Sequence, residues 1–154
     1  MSRVTPAYVA VVGPSGDPGS AVLALAEEVG RRLAEAGAVV VTGGGTGVME
    51  AASRGAADAG GVVVGILPGA DRAEANSHVT VALATGLGEV RNALVVRAVD
   101  AVIAVGGSWG TLSEVALACR TGVPVWALAG WHLPSRDGPV VVADPAEAVA
   151  RALG

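Results

Sequence analysis

Three glycine-rich stretches and one pair of opposite charges carry the chemical potential of this 154-residue chain. Gly13-Pro14-Ser15-Gly16, Gly43-Gly44-Gly45-Thr46-Gly47 and Gly106-Gly107-Ser108-Trp109-Gly110-Thr111 each follow an apolar run, and the second and third lead into helical patterns. The first N–H groups of a helix have no intrahelical partner and sit at the positive end of its dipole, so such turns attract anions. Glycine lets a phosphate approach the backbone closely. One turn of this kind is ordinary loop chemistry, whereas two or three on one edge of a sheet point to a phosphate or nucleotide site. Arg91 and Glu114 each fall in the first turn of a helical pattern flanking the third stretch, placing a cation and a carboxylate beside the expected anion. Elsewhere, an isolated Arg–Glu combination would read as a surface pair.

Two familiar machines can be tested against these residues. Gly106-Gly107-Ser108-Trp109-Gly110 has the GxSxG form of a nucleophile elbow between a strand and a helix. The remainder is missing: only Glu114 among acids lies between Ser108 and His132, and no HGGG-like segment occurs. Ser108 is therefore expected to contact a phosphate through its hydroxyl or N–H, not to act as a nucleophile. The dinucleotide fingerprint GxGxxG fails too, because its last glycine falls on Val48 or Glu50 when counted from Gly43 or Gly45.

Composition narrows the field further. All 10 basic residues are arginine, which excludes a P-loop lysine, a Schiff base and pyridoxal-phosphate chemistry. The one cysteine, Cys119, forms no disulfide within the chain and no CxxC site, and it reads as an inert buried thiol. His78 and His132 match no metal-ligand spacing, so no metal site is expected. A net charge of −4 with 3 Trp, 1 Tyr and no Phe argues against nucleic-acid binding. The mean hydropathy of +0.58 raises the membrane question. The longest uncharged stretch, 121–135, contains two prolines and is shorter than the ~20 apolar residues of a spanning helix. No basic, apolar leader opens the chain, which gives the expectation of a soluble cytoplasmic protein without a membrane partner.

The elements that must position these residues follow from periodicity. Apolar runs at 8–12, 38–42, 62–67, 79–83, 101–105, 124–128 and 140–142 read as strands, most of them continuous, as in parallel strands covered on both faces. Helical patterns fall at 20–36, 46–59, 88–98 and 110–121, and a last one opens on Asp144-Pro145-Ala146-Glu147, an N-cap followed by proline and an acid. The alternation predicts an α/β fold: a Rossmann-like, doubly wound, mainly parallel sheet with helices on both faces, residues 1–154 forming a single nucleotide-binding domain. Its ligand edge lies beyond the carboxyl ends of the strands. Gly13, Ser15, Gly43, Gly44, Gly45, Thr46, Asn92, Gly107, Ser108, Trp109, Gly110 and Thr111 are the expected phosphate and nucleotide contacts, with Trp109 able to stack on a base, pack internally or meet a second subunit. Met49 reads as core, Glu50 and Arg54 as an i,i+4 pair, and His78 as surface polar. Leu94, Val95, Val115 and Leu117, with few charges among them, predict a homo-oligomer, most simply a dimer.

The string Thr42-Gly43-Gly44-Gly45-Thr46-Gly47-Val48-Met49-Glu50, followed by Gly65-Ile66-Leu67-Pro68-Gly69, Arg91-Asn92 and Gly106 to Glu114, resembles the LOG (Lonely Guy) superfamily over about residues 8–130. Within it, the chain is similar to the branch that includes molybdenum-cofactor carrier proteins. The resemblance implies hydrolysis of the N-glycosidic bond of nucleoside 5′-monophosphates, with Arg91 and Glu114 as catalytic residues and no cofactor required. For the carrier branch it implies a molybdopterin ligand and no turnover. Gly106, Ser108, Asn92 and Gly88 stand where the hydrolase signature has proline, glycine, lysine and methionine. Two expectations therefore stand side by side, a phosphoribohydrolase for an AMP-like nucleotide and a non-catalytic carrier of the molybdenum cofactor.

Overall fold

A computed structural model describes residues 5–134 and 136–154 as five α-helices against one seven-stranded sheet. The strands are β1 (Tyr8–Val12), β2 (Val39–Thr42), β3 (Val63–Leu67), β4 (Val81–Ala84), β5 (Ala101–Val105), β6 (Val125–Leu128) and β7 (Val140–Val141). They lie in the order β4-β3-β2-β1-β5-β6-β7, and every pairing is parallel. The fold is the Rossmann-like α/β sandwich expected from the alternation. The order reverses at β1, whose neighbours are β2 and β5, so the crevice for a ligand opens at the carboxyl ends of β1 and β5.

The helices are α1 (Ser20–Glu35), α2 (Val48–Asp58), α3 (Arg91–Arg97), α4 (Trp109–Arg120) and α5 (Pro145–Leu153). Side-chain alternation along the strands divides two cores. Val9, Val11, Val40 and Ile103 pack with Val29, Leu33, Ala52 and Val149 under α1, α2 and α5. Ala10, Val12, Val41 and Val102 pack with Val95, Val96, Val115 and Ala118 under α3 and α4. On the first face α1 and α2 meet backbone to backbone, since a Cβ on Gly30 would lie 2.0 Å from the Ala52 carbonyl and one on Gly55 2.0 Å from that of Glu27.

Several boundaries differ from the periodicity for physical reasons. The second helix begins at Val48, not 46, because Gly47 has φ 66° and lies so near the first turn that a Cβ would come within 2.3 Å of the Pro14 carbonyl oxygen. No side chain caps α3, and its expected first turn, Gly88–Val90, is a tight 3₁₀ turn. The α5 start behaves as read: Asp144 accepts from Glu147 N–H at 2.8 Å. Arg54 does not pair with Glu50 on its own helix but reaches Glu27 of α1 at 3.1 Å. No helix among the described residues is long and apolar enough to cross a membrane.

Candidate functional site

The third glycine turn makes the helix terminus at the centre of the crevice. Ser108 is the N-cap of α4; its Oγ accepts from Thr111 N–H at 3.2 Å and shares a hydrogen bond with Thr111 Oγ1 at 2.9 Å. The cap uses one of the free N–H groups of this terminus. Those of Trp109 and Gly110 have no acceptor among the described residues, so the end of α4 keeps donors for an anion. Gly107 packs behind the turn against Trp131, whose ring would be 2.6 Å from a Cβ there. Ser108 is bonded to Thr111 in the arrangement of a helix cap, and no histidine is among the described residues lining its cleft.

Arg91 and Glu114 enter the same cleft, about 370 Å³ in volume, from α3 and α4. Ser15 and Gly13 of the first turn close its far side, with Met49 and Pro68 beside them. Arg91 is the first residue of α3, as expected. Glu114 lies in the second turn of α4 instead of the first, because the helix starts at Trp109. The Arg91 guanidinium lies against the second glycine turn, where a Cβ on Gly43 would come within 2.8 Å of Nη1. Its Nη1 donates to Asn92 Oδ1, while the buried Nε has no partner. No hydrogen bond or ion pair joins Arg91 to Glu114, although they share one cleft.

Burial acts on both charges against their ionised forms. It lowers the Arg91 pKa, opposed by the attraction of Glu114. It pushes the Glu114 carboxyl up to about 7, the charge of Arg91 pulling the other way. Two opposite charges, each partly stripped of water and not joined, leave room between them for a polar ligand. A phosphate there would receive the Arg91 guanidinium and the open N–H groups of α4, with Ser108 and Thr111 hydroxyls alongside.

The second turn also has a bracing part. Gly43, Gly44, Gly45 and Thr46 do not line the cleft. Part of this stretch braces the scaffold: Thr46 Oγ1 accepts from Gly16 N–H at 3.0 Å, and Val48 N–H donates to the Pro14 carbonyl at 3.0 Å, while the N–H groups of Gly45, Thr46 and Gly47 have no acceptor among the described residues. The turn thus ties the first loop in place and lies against Arg91. Asn76, which periodicity did not single out, completes this brace. Its N–H donates to Gly44 O and its Nδ2 to Gly45 O, both at 2.9 Å. Nothing in the local sequence signals that role, because it depends on the β3–β4 connection folding over the turn. Met49, read as core, is half-buried and borders the cleft, as does Glu89. Cys119 is also only half-buried, with its thiol pKa raised by desolvation. No cluster of three or more potential metal ligands occurs among the described residues.

Of the apolar residues expected to form a subunit contact, Val95 and Val115 belong to the core. Leu94 remains 42% exposed, and beside it Val90 and Trp109 are exposed at 69% and 79%. Trp109 does not line the Arg91–Glu114 cleft. It meets Trp131 edge-on, with ring centroids 5.0 Å apart at 77°.

A model of the SLOG cluster4 family matches residues 6–149. The molybdenum cofactor binding protein of the phototrophic bacterium Rippkaea orientalis has the same fold, with a TM-score of 0.90 and 35% identity, over 96% of each chain. The molybdenum cofactor carrier protein of Chlamydomonas reinhardtii superposes with a TM-score of 0.85 at 33% identity, again over 96% of each chain. An uncharacterized protein of Archaeoglobus fulgidus is 40% identical over 120 residues, 78% of each chain. The chain belongs to the SLOG cluster4 family, within the LOG-like superfamily whose branch includes the molybdenum cofactor carriers.

Proposed function

We propose that this protein is a non-catalytic binder, of the carrier type, for a small phosphorylated ligand of the molybdopterin class. The observation that carries this reading is the unpaired Arg91 and Glu114 facing one cleft beside the open terminus of α4. The relatives of stated ligand, similar over nearly the whole chain, bind the molybdenum cofactor. In this reading residues 1–154 act as one binding domain. Ser108, Gly110 and Thr111 hold the phosphate on the end of α4, Arg91 supplies its counter-charge, Asn92 orients Arg91, and Gly13 with Ser15 bounds the ligand opposite. Gly43 seats Arg91, while Gly44 and Gly45 are tied to Asn76 and Thr46 to Gly16 beside it. The exposed Val90 and Leu94 fit a homodimer, which light scattering at micromolar concentration tests directly. A cytoplasmic setting fits a chain with a single cysteine.

One observation favours a second reading. Arg91 and Glu114 are the two positions that the LOG resemblance makes catalytic, and a carboxylate beside a bound ribose 5-phosphate could stabilise the cation that forms as a base departs. Incubation with AMP and other monophosphates, followed by chromatography for free base and ribose 5-phosphate, separates the two. Ligand binding without base release supports the carrier. Base release that disappears in Glu114→Gln while AMP affinity persists establishes the hydrolase. If Arg91→Ala keeps wild-type affinity, the site has been placed wrongly.

A further inference from the structure

Trp109 is the most exposed large apolar side chain among the described residues. Its ring meets Trp131 edge-on, and Trp131 is itself seated on Gly107. Trp109 borders a second groove, of about 620 Å³, floored by Val90, Ala93 and Leu117. This groove is continuous with the Arg91–Glu114 cleft, because Glu89, Asn92 and Gly110 line both. The passage between them is open: a Cβ on Gly110 would meet nothing nearer than Ser108 Oγ at 3.9 Å. A ligand whose phosphate sits on the end of α4 therefore has a path for its remaining part across Gly110 to the face of Trp109. At the junction stands Glu89, an exposed carboxylate with no hydrogen bond or ion pair among the described residues.

We propose that Trp109 is the platform on which the ligand's flat heterocycle stacks, and that Glu89 reads the edge of that ring. The proposal rests on the reading of the neighbouring cleft as a phosphate site. An indole face held open to solvent stacks on any planar ring, which explains why so large an apolar surface is left uncovered next to a polar cleft. A carboxylate only accepts hydrogen bonds, so it pairs with an edge that offers two adjacent N–H donors. Guanine and pterins present such an edge, with a ring N–H beside a 2-amino group. Adenine presents a bare ring nitrogen beside its amino group, which repels the second carboxylate oxygen. Trp109 and Glu89 thus select a 2-amino-4-oxo pyrimidine edge over an adenine edge.

Calorimetry with ribose 5-phosphate, AMP and GMP on the full chain tests this, with light scattering run on the same samples. GMP should bind more tightly than AMP. Trp109→Ala should weaken GMP by ~5- to 100-fold and leave ribose 5-phosphate unchanged. Glu89→Gln should erase the preference for GMP over AMP. Equal affinities of wild type for the two nucleotides overturn the role of Glu89. An unchanged GMP affinity in Trp109→Ala, with binding lost in Arg91→Ala, overturns the platform while the phosphate cleft stands. If Trp109→Ala instead turns a dimer into a monomer without touching GMP affinity, the groove belongs to a second copy of the chain and the platform is again overturned. Failure of wild type to bind any of the three compounds defeats the phosphate cleft itself.

Discussion

The two helical layers of this sandwich are finished to different degrees. In the α1–α2 layer every arginine has a carboxylate: Arg31 and Arg32 reach Glu28, Arg31 also reaches Glu35, and Arg54 crosses to Glu27. The two helices touch through Gly30 and Gly55 with no space between their backbones. In the α3–α4 layer none of Arg91, Arg97 and Arg120 forms an ion pair among the described residues, and Val90, Leu94 and Trp109 stand in solvent. Both layers cover the same sheet with similar small apolar residues, so the contrast is not one of core quality. The first layer pairs its arginines, whereas the second leaves its arginines without an ion pair and apolar side chains in solvent. Stability should concentrate in the first and ligand binding in the second, and substitutions can break that division.

The largest effect is expected where the closed layer has no slack. Gly30→Ala places a methyl group 2.0 Å from the Ala52 carbonyl, which must push α1 and α2 apart. The expected cost is about 3 kcal/mol, read as a drop in Tm of several degrees or more, and ligand affinity measured at low temperature should be unaffected. An unaltered Tm would mean that the layers differ less than their contacts indicate. The mirror experiment is Arg91→Ala in the open layer. Loss of its charge-assisted contact should weaken a phosphate monoester by ~10- to 100-fold in calorimetry, and Tm should hold because no ion pair is broken.

Glu114 sharpens the comparison through pH. Its carboxyl titrates near 7 in the folded chain against an ordinary value of 4.5, chiefly because it is desolvated. Between those values the unfolded chain has lost this proton and the folded chain keeps it, so stability falls as pH rises across that window and levels off above 7. Glu114→Gln should flatten this slope and be the more stable protein at pH 8, by on the order of 2 kcal/mol. Urea denaturation at pH 5 and pH 8 measures both. Phosphate affinity should also fall from pH 7 to 8.5 in wild type, as an ionised Glu114 repels the anion, and should stay level in the glutamine variant. The smallest effect belongs to the closed layer's surface. Arg54→Ala removes a pair whose side chains are 39% and 41% exposed, so a loss of at most ~1 kcal/mol is expected in the same denaturation assay.

Much of this protein was legible before any coordinates. Continuous Val and Ala runs gave β1 and β5 to the residue, since short apolar runs bounded by turn residues suit strands buried on both faces. The capping chemistry of Asp144-Pro145 placed the start of α5 in the same way, as did the choice of Arg91, Glu114 and the Ser108 turn for the crevice. These features are local or follow from the rule that parallel sheets bind at their carboxyl edge. The division of labour among the glycine turns was not legible. The Gly43–Gly47 turn also braces the fold through Asn76 and Gly16, residues about 30 positions away, which no local pattern signals. Which helix would pair its charges was hidden for the same reason: Arg54 lies one turn from Glu50 in sequence, but the close α1–α2 approach sets Glu27 nearer. The sequence by itself determined the elements and the edge where they present their chemistry, because periodicity and caps are short-range. Only the tertiary structure decided which of those groups remain free for a ligand, because that depends on what partners long-range packing has already supplied.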